Sequence, residues 1–173
     1  MIGFRDYVRY AEKQLRIAEK EIENGKSGDP HLIPAVILAW SAIESFVNNR
    51  LDEFDSLPAK LFAPHEKAFL IEKHLQFQNE GTQAGEFIIK GNAFKSLSDK
   101  ILFLMAKQGV TAKKGTPLWQ DFVELRKVRD SLVHPRKGKY KRVTPDLARK
   151  CIRISKQVIE LISEALAPKK VRF

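Results

Sequence analysis

The sequence predicts an all-α protein, a single-domain bundle of about six helices. Three observations carry that expectation. Apolar residues recur at three- and four-residue intervals over long stretches, the period of a helix with one buried face. Capping residues stand directly before proline at Asp29-Pro30, Thr116-Pro117 and Thr144-Pro145, the pattern of helix starts. No long strand pattern, internal repeat or low-complexity segment interrupts them. The 173 residues, 43% hydrophobic and 30% charged, suffice for one folded core.

The first helix is expected over residues 4–24, where Phe4, Tyr7, Val8, Ala11, Leu15, Ala18 and Ile22 keep the period and Gly25 closes it. The second runs from Asp29-Pro30 to about residue 54, and its first half is apolar on nearly every side, as for the most buried helix. Pro64 opens a third, ending near Asn79. Gly81, Gly85 and Gly91 make 80–91 a loop with a short extended piece at 87–89. A fourth helix is expected over 92–107, stopped by Gly109. The fifth starts at Thr116-Pro117, and the sixth runs from Thr144-Pro145-Asp146 to about Leu166, before Pro168 and a frayed basic tail.

Several classes are excluded by what is missing. No apolar run reaches the roughly 18 residues that cross a bilayer. Charges in the first ten residues occupy the place of a signal peptide's apolar core. A single cysteine, Cys151, rules out an internal disulfide framework, suits a cytoplasmic protein and reads as an inert helix residue. No Cys/His cluster has metal-ligand spacing, and no Gly-rich phosphate loop, Gly-x-Ser-x-Gly elbow or His-Glu-x-x-His helix occurs. Neither a metal nor a cofactor is expected.

Charge is distributed unevenly. Residues 1–100 hold 13 Lys/Arg against 15 Asp/Glu, whereas residues 101–173 hold 18 against 6. Arg136, Lys137, Lys139, Lys141 and Arg142 crowd one short stretch with no acidic residue between Asp130 and Asp146. A polyanion partner, nucleic acid above all, fits this pattern; the alternative is a solvated basic surface.

Two charges interrupt apolar stripes. Leu118, Phe122, Leu125, Val128 and Leu132 align on the fifth helix, with Arg129 at their centre. Ile33, Ile37, Trp40, Val47 and Leu51 align on the second, with Glu44 in the middle. Charges in such places are costly unless they are paired or serve a site. The economical expectation is that Glu44 and Arg129 face each other in a planar, two-pronged pair; the alternative role for Glu44 is an ion pair that only sets helix register. Asn48, one turn after Glu44, either joins the same site or is simply exposed. Pro135 pushes His134 out of the helix, so the fifth helix should end near Val133 and free His134 to swing back toward Arg129. His31, His65 and His74, the first on helix two and the others on helix three, read as ordinary surface or satisfied histidines.

The run Arg129-Asp130-Ser131-Leu132-Val133-His134-Pro135, with the polar-bearing stretch Ala42-Ile43-Glu44-Ser45-Phe46-Val47-Asn48, resembles the HEPN superfamily of helical domains. These often carry an Arg-x4–6-His motif late in the chain, with a polar residue directly after the Arg, here Asp130. The resemblance implies a HEPN-like bundle and a metal-independent endoribonuclease working as a homodimer, of the toxin or phage-defence kind. Arg129 and His134 would then carry catalysis with support from Asp130. One subgroup pairs with an antitoxin protein and has Tyr two residues after the His, where this chain has Arg136.

The chemistry agrees with the residues themselves. Cleaving RNA through its own 2′-hydroxyl needs a base, an acid and a cation for the developing phosphate charge. Histidine serves either proton role near neutrality, and arginine holds phosphate bidentately. One chain offers one well-placed histidine, so pairing of two copies around the fifth helix would complete the set. Lys127, Arg136, Lys137 and Lys139 would guide the RNA backbone. The competing expectation is a non-catalytic helical module that binds nucleotide, nucleic acid or a partner protein. A DNA-binding repressor fits less well, because the basic residues gather in a loop rather than along one helix.

Overall fold

The computed structural model describes residues 3–80, 82, 84, 86–110, 114–134 and 142–166. Over these residues the chain is all-α but for one two-stranded hairpin. It divides into two compact units, residues 1–46 with 105–173 and residues 47–104.

The first unit contains α1 (Phe4–Glu23), the first part of α2 (Asp29–Asp55), α5 (Pro117–Val133) and α6 (Pro145–Leu166). These helices begin and end where local chemistry dictates. Thr116 Oγ1 accepts from the Trp119 N–H at 3.3 Å, and Thr144 Oγ1 accepts from the Leu147 N–H at 3.2 Å. After α1, Gly25 takes φ +73°, a left-handed turn that glycine adopts without strain.

Small residues let the helices approach closely. Ala11 and Ala18 of α1, Ala35, Ala39 and Ala42 of α2, and Ala148 of α6 are all buried. Larger side chains fill the remaining space: Leu32, Trp40, Ile43, Phe46, Phe122, Ile154 and Ile162. The Ser155 hydroxyl donates to the Ala39 carbonyl, which ties α6 to α2 and satisfies a buried hydroxyl of this core. Ion pairs link the outer faces of α1 and α6, Arg149 to Glu19 at 2.5 Å and Lys156 to Glu12. Hydrogen bonds to Glu19 and then to Asp146 raise the Arg149 pKa, which leaves an always-charged group charged.

The second unit holds the rest of α2, a 3-10 turn (Ala59–Leu61), α3 (Pro64–Leu70), β1 (Lys73–Phe77), β2 (Phe87–Asn92) and most of α4 (Leu97–Lys107). Leu51, Ala68, Leu70, Ile101 and Leu104 are buried here, and Phe69 stacks on Phe103 at 4.7 Å.

Three expectations are corrected in this unit. The third helix stops at Leu70 instead of reaching Asn79, because Glu72 at φ +51° turns the chain into β1. His74 therefore lies on a strand, not on a helix. The fourth helix starts five residues later than Asn92, since β2 continues through that residue and Ser96 Oγ caps α4 by accepting from the Asp99 N–H. The cause is pairing at a distance: Phe77 sits opposite Phe87 and Leu75 opposite Ile89 in an antiparallel ladder. Leu75 and Phe77 alternate with His74 and Gln76, a period of two that overrides the apparent helical pattern.

The α2 helix keeps the short apolar runs read from the sequence and is nevertheless apolar on average. It is long and apolar enough, by length and composition, to cross a membrane, although half of its apolar window is buried inside the structure. Uninterrupted apolar runs are short there only because polar residues such as Ser41 and Glu44 punctuate a helix that is apolar on average.

Phe122, 1% exposed, is expected to be the least replaceable side chain of α5. Phe122→Ala should lower stability by about 3–5 kcal/mol in chemical denaturation. A loss below about 1 kcal/mol would mean that the α2–α5 packing does not rest on this ring.

Candidate functional site

The site is built on two aromatic rings. Trp40 of α2 stacks on Phe122 of α5, centroids 5.5 Å apart and planes 11° from parallel, and Trp119 leans on the same phenyl ring. Glu44 stands one turn beyond Trp40, and Arg129 two turns beyond Phe122, so both follow the stacked face along their helices. The Arg129 guanidinium carbon lies 5.9 Å from the Trp40 ring centroid, within reach of cation–π attraction.

Arg129 and Glu44 do face each other, but not as the two-pronged pair the sequence suggests. The Arg129 Nη2 to Glu44 Oε1 distance is 3.9 Å, an ion pair too long to be a hydrogen bond. The hydrogen bond goes to Asp130 instead, with Arg129 Nη1 donating to Oδ1 at 3.0 Å. Adjacent helix residues point different ways, so this contact depends on the long arginine stem folding along the helix. The other Asp130 oxygen is 3.9 Å from Nε of Arg126, one turn earlier. Asp130 thus stands between two guanidinium groups.

The Arg129 side chain is 27% exposed and engages one of its five N–H donors in a hydrogen bond among the described residues. It is held in place, reaches solvent and has donors left for an anion. Beneath it, the Trp40 indole N–H is buried without a hydrogen-bond partner among the described residues. Such a donor is rare in a native core and costly to leave unmet.

The α5 helix ends at Val133 as Pro135 implies, with His134 in a non-helical conformation at φ −124°, ψ 68°. The His134 N–H donates to the Asp130 carbonyl at 2.9 Å, which anchors the residue to the site by its backbone. Its imidazole is exposed and has no hydrogen-bond or ion-pair partner among the described residues, Arg129 included.

The remaining candidates are dispersed. Asn48 is exposed, and its amide oxygen accepts from Lys100 Nζ at 3.0 Å within the second unit, so it does not contribute to the Arg129 contacts. Lys127 is exposed and paired with Glu124 at 2.7 Å. Arg136, Lys137 and Lys139 lie outside the described residues, as does the basic C-terminal tail. Cys151 is buried, and His31 is satisfied by Gln14 at 2.6 Å. Among the described residues no group of three His, Cys, Asp or Glu side chains is placed to hold a metal ion.

Two participants escape a reading of single stripes: Trp40 as the platform for the guanidinium, and Arg126 as the second cation on Asp130. Both were present as spacing. Trp40 precedes Glu44 by four residues and Arg126 precedes Asp130 by four, the intervals that bring helix side chains together. No family model, curated protein or solved structure matches this chain. The fold and these contacts define an all-α protein with a half-buried guanidinium site on α2 and α5.

Arg129→Met separates a site arginine from a structural one. Glu44 and Asp130 are 39% and 48% exposed and remain hydrated without their partner. The variant should stay within about 1 kcal/mol of the parent in urea unfolding. A loss above about 3 kcal/mol would instead mark a desolvated ion pair that sets helix register.

Proposed function

We propose that this chain is a HEPN-type, metal-independent endoribonuclease that cuts RNA through its 2′-hydroxyl at a site shared by two copies. The observation that supports this reading is the placement of Arg129. Its guanidinium lies over Trp40 between Glu44 and Asp130, with donors that no other described residue uses, five residues before the histidine that ends α5.

In this reading Arg129 grips the scissile phosphate with two parallel N–H donors. Asp130 and Glu44 are positioning residues that keep the guanidinium plane aimed. The imidazole of one His134 takes the 2′-hydroxyl proton as that oxygen attacks phosphorus, and the P–O5′ bond breaks. The partner's His134 supplies a proton to the leaving 5′-oxygen, leaving a 2′,3′-cyclic phosphate and a 5′-hydroxyl. The exposure of His134 suits this work, because an imidazole exchanging protons with a bound strand must reach solvent and substrate. Pairing around α5 brings both histidines together, while Lys127, Arg136, Lys137 and Lys139 steer the RNA backbone. The cytoplasm is the setting, and a protein of the antitoxin kind would restrain the activity.

A second reading has one observation in its favour. Two carboxylates already flank the Arg129 charge, and the imidazole makes no contact with it. A non-catalytic module binding nucleotide, nucleic acid or a protein partner would look the same.

Incubating wild type and His134→Ala with structured RNA in EDTA separates the two. The ribonuclease reading predicts chelator-resistant cleavage that falls by about 10²–10⁴-fold in the variant. It also predicts no cleavage of a 2′-deoxy substrate. Equal binding by both proteins, with no cleavage by either, assigns the non-catalytic role.

A further inference from the structure

The second unit leaves large apolar side chains in water. Phe77, Phe87 and Ile89 are 47%, 63% and 45% exposed, and all three lie with Leu75 on one face of the hairpin. A two-stranded sheet is marginal by itself in water, and a further strand is what stabilises such a face. Among the described residues β1 and β2 have no third strand beside them.

The free edge of β2 has a defined pattern. The Gln78 N–H donates to the Glu86 carbonyl at 2.9 Å. By antiparallel alternation Glu86, Ile88 and Lys90 turn their main-chain groups toward β1, while Phe87 and Ile89 turn theirs outward. We propose that β2 pairs with the same strand of a second copy of this chain, antiparallel about a two-fold axis through Ile88, to give a four-stranded sheet.

The charges select this occupant and this register. With the axis at Ile88, the outward groups of Phe87 meet those of the partner's Ile89, and Glu86 stands opposite the partner's Lys90. Glu86 and Lys90 are both exposed and have no ion-pair partner among the described residues. Moving the axis to Phe87 or Ile89 keeps outward groups facing each other but places a charge opposite Ile88. Lysine on an edge normally discourages pairing; here Glu86 of the second copy answers it. The two apolar faces then join into one strip, with phenylalanine opposite isoleucine at each step. This contact is separate from pairing around α5, and it stands whether or not the protein cleaves RNA.

The test uses the full chain. Ile88 lies on the proposed axis in a non-hydrogen-bonded pair, where Cα atoms approach to about 4.5 Å, within disulfide reach. Copper–phenanthroline oxidation of Ile88→Cys should give a disulfide-linked dimer about tenfold faster than Gln76→Cys, a control on the same face of the inner strand. In sedimentation equilibrium, Glu86→Lys and Lys90→Glu should each weaken by about tenfold the association step carried by β2, whether that step joins single chains or α5-paired dimers, since like charges then stand opposite. An equimolar mixture of the two should regain wild-type association as a heterodimer, which also shows that both variants fold. Cross-linking no faster than the control, or a mixture that associates no better than either variant alone, overturns the proposal.

Discussion

The stack of Trp40 on Phe122 is the contact on which the candidate site depends. It sets α2 against α5 by burying two large rings, and each helix then carries a charge along the same face. Glu44 follows Trp40 by one turn and Arg129 follows Phe122 by two, so a packing contact fixes where the charges meet. The order of magnitudes supports this direction of cause. Burying two aromatic side chains is worth several kcal/mol, whereas a 3.9 Å ion pair facing solvent contributes about 1 kcal/mol or less. The charges orient one another; the rings hold the helices.

The contacts of Arg129 differ from those of a residue that fastens two helices. A guanidinium meant to lock two helices would show short, paired hydrogen bonds to the opposite helix. Arg129 instead bonds to its neighbour Asp130, leans over an indole and keeps its distance from Glu44. Asp130 is shared with Arg126 and bonded to the His134 backbone through its carbonyl, so one residue links the guanidinium, a second cation and the end of α5. The Trp40 N–H beneath this group, buried and without a partner among the described residues, is a second uncommon feature of the same place.

Much of this was legible in the sequence. The starts of α5 and α6 follow from single threonine caps before proline, and the ends of α1 and α5 from Gly25 and Pro135, because each is a local preference. The apolar stripes correctly located Arg129 and Glu44 as misplaced charges that meet. What failed to show was non-local. Residues 73–77 carry apolar side chains that fit a helix nearly as well as a strand, and only pairing with Phe87–Asn92 decides between them. Asn48 shares the Glu44 face on a wheel, yet its amide oxygen goes to Lys100, 52 residues away, which spacing along one helix cannot show. The Arg129–Asp130 bond was invisible for a related reason, since it depends on how a flexible stem folds rather than on residue spacing.

The proposed role of Arg129 requires that its guanidinium receive an anion. Side-chain nitrogen NMR reads this directly, by following the Arg129 Nε–H and the Trp40 indole N–H while a short RNA with a 2′-deoxy block at the cleavage position is added. Both signals should move together and saturate at the same RNA concentration, because the guanidinium lies over that ring. Shifts confined to lysines, with the Arg129 and Trp40 signals unmoved at saturation, would contradict that role.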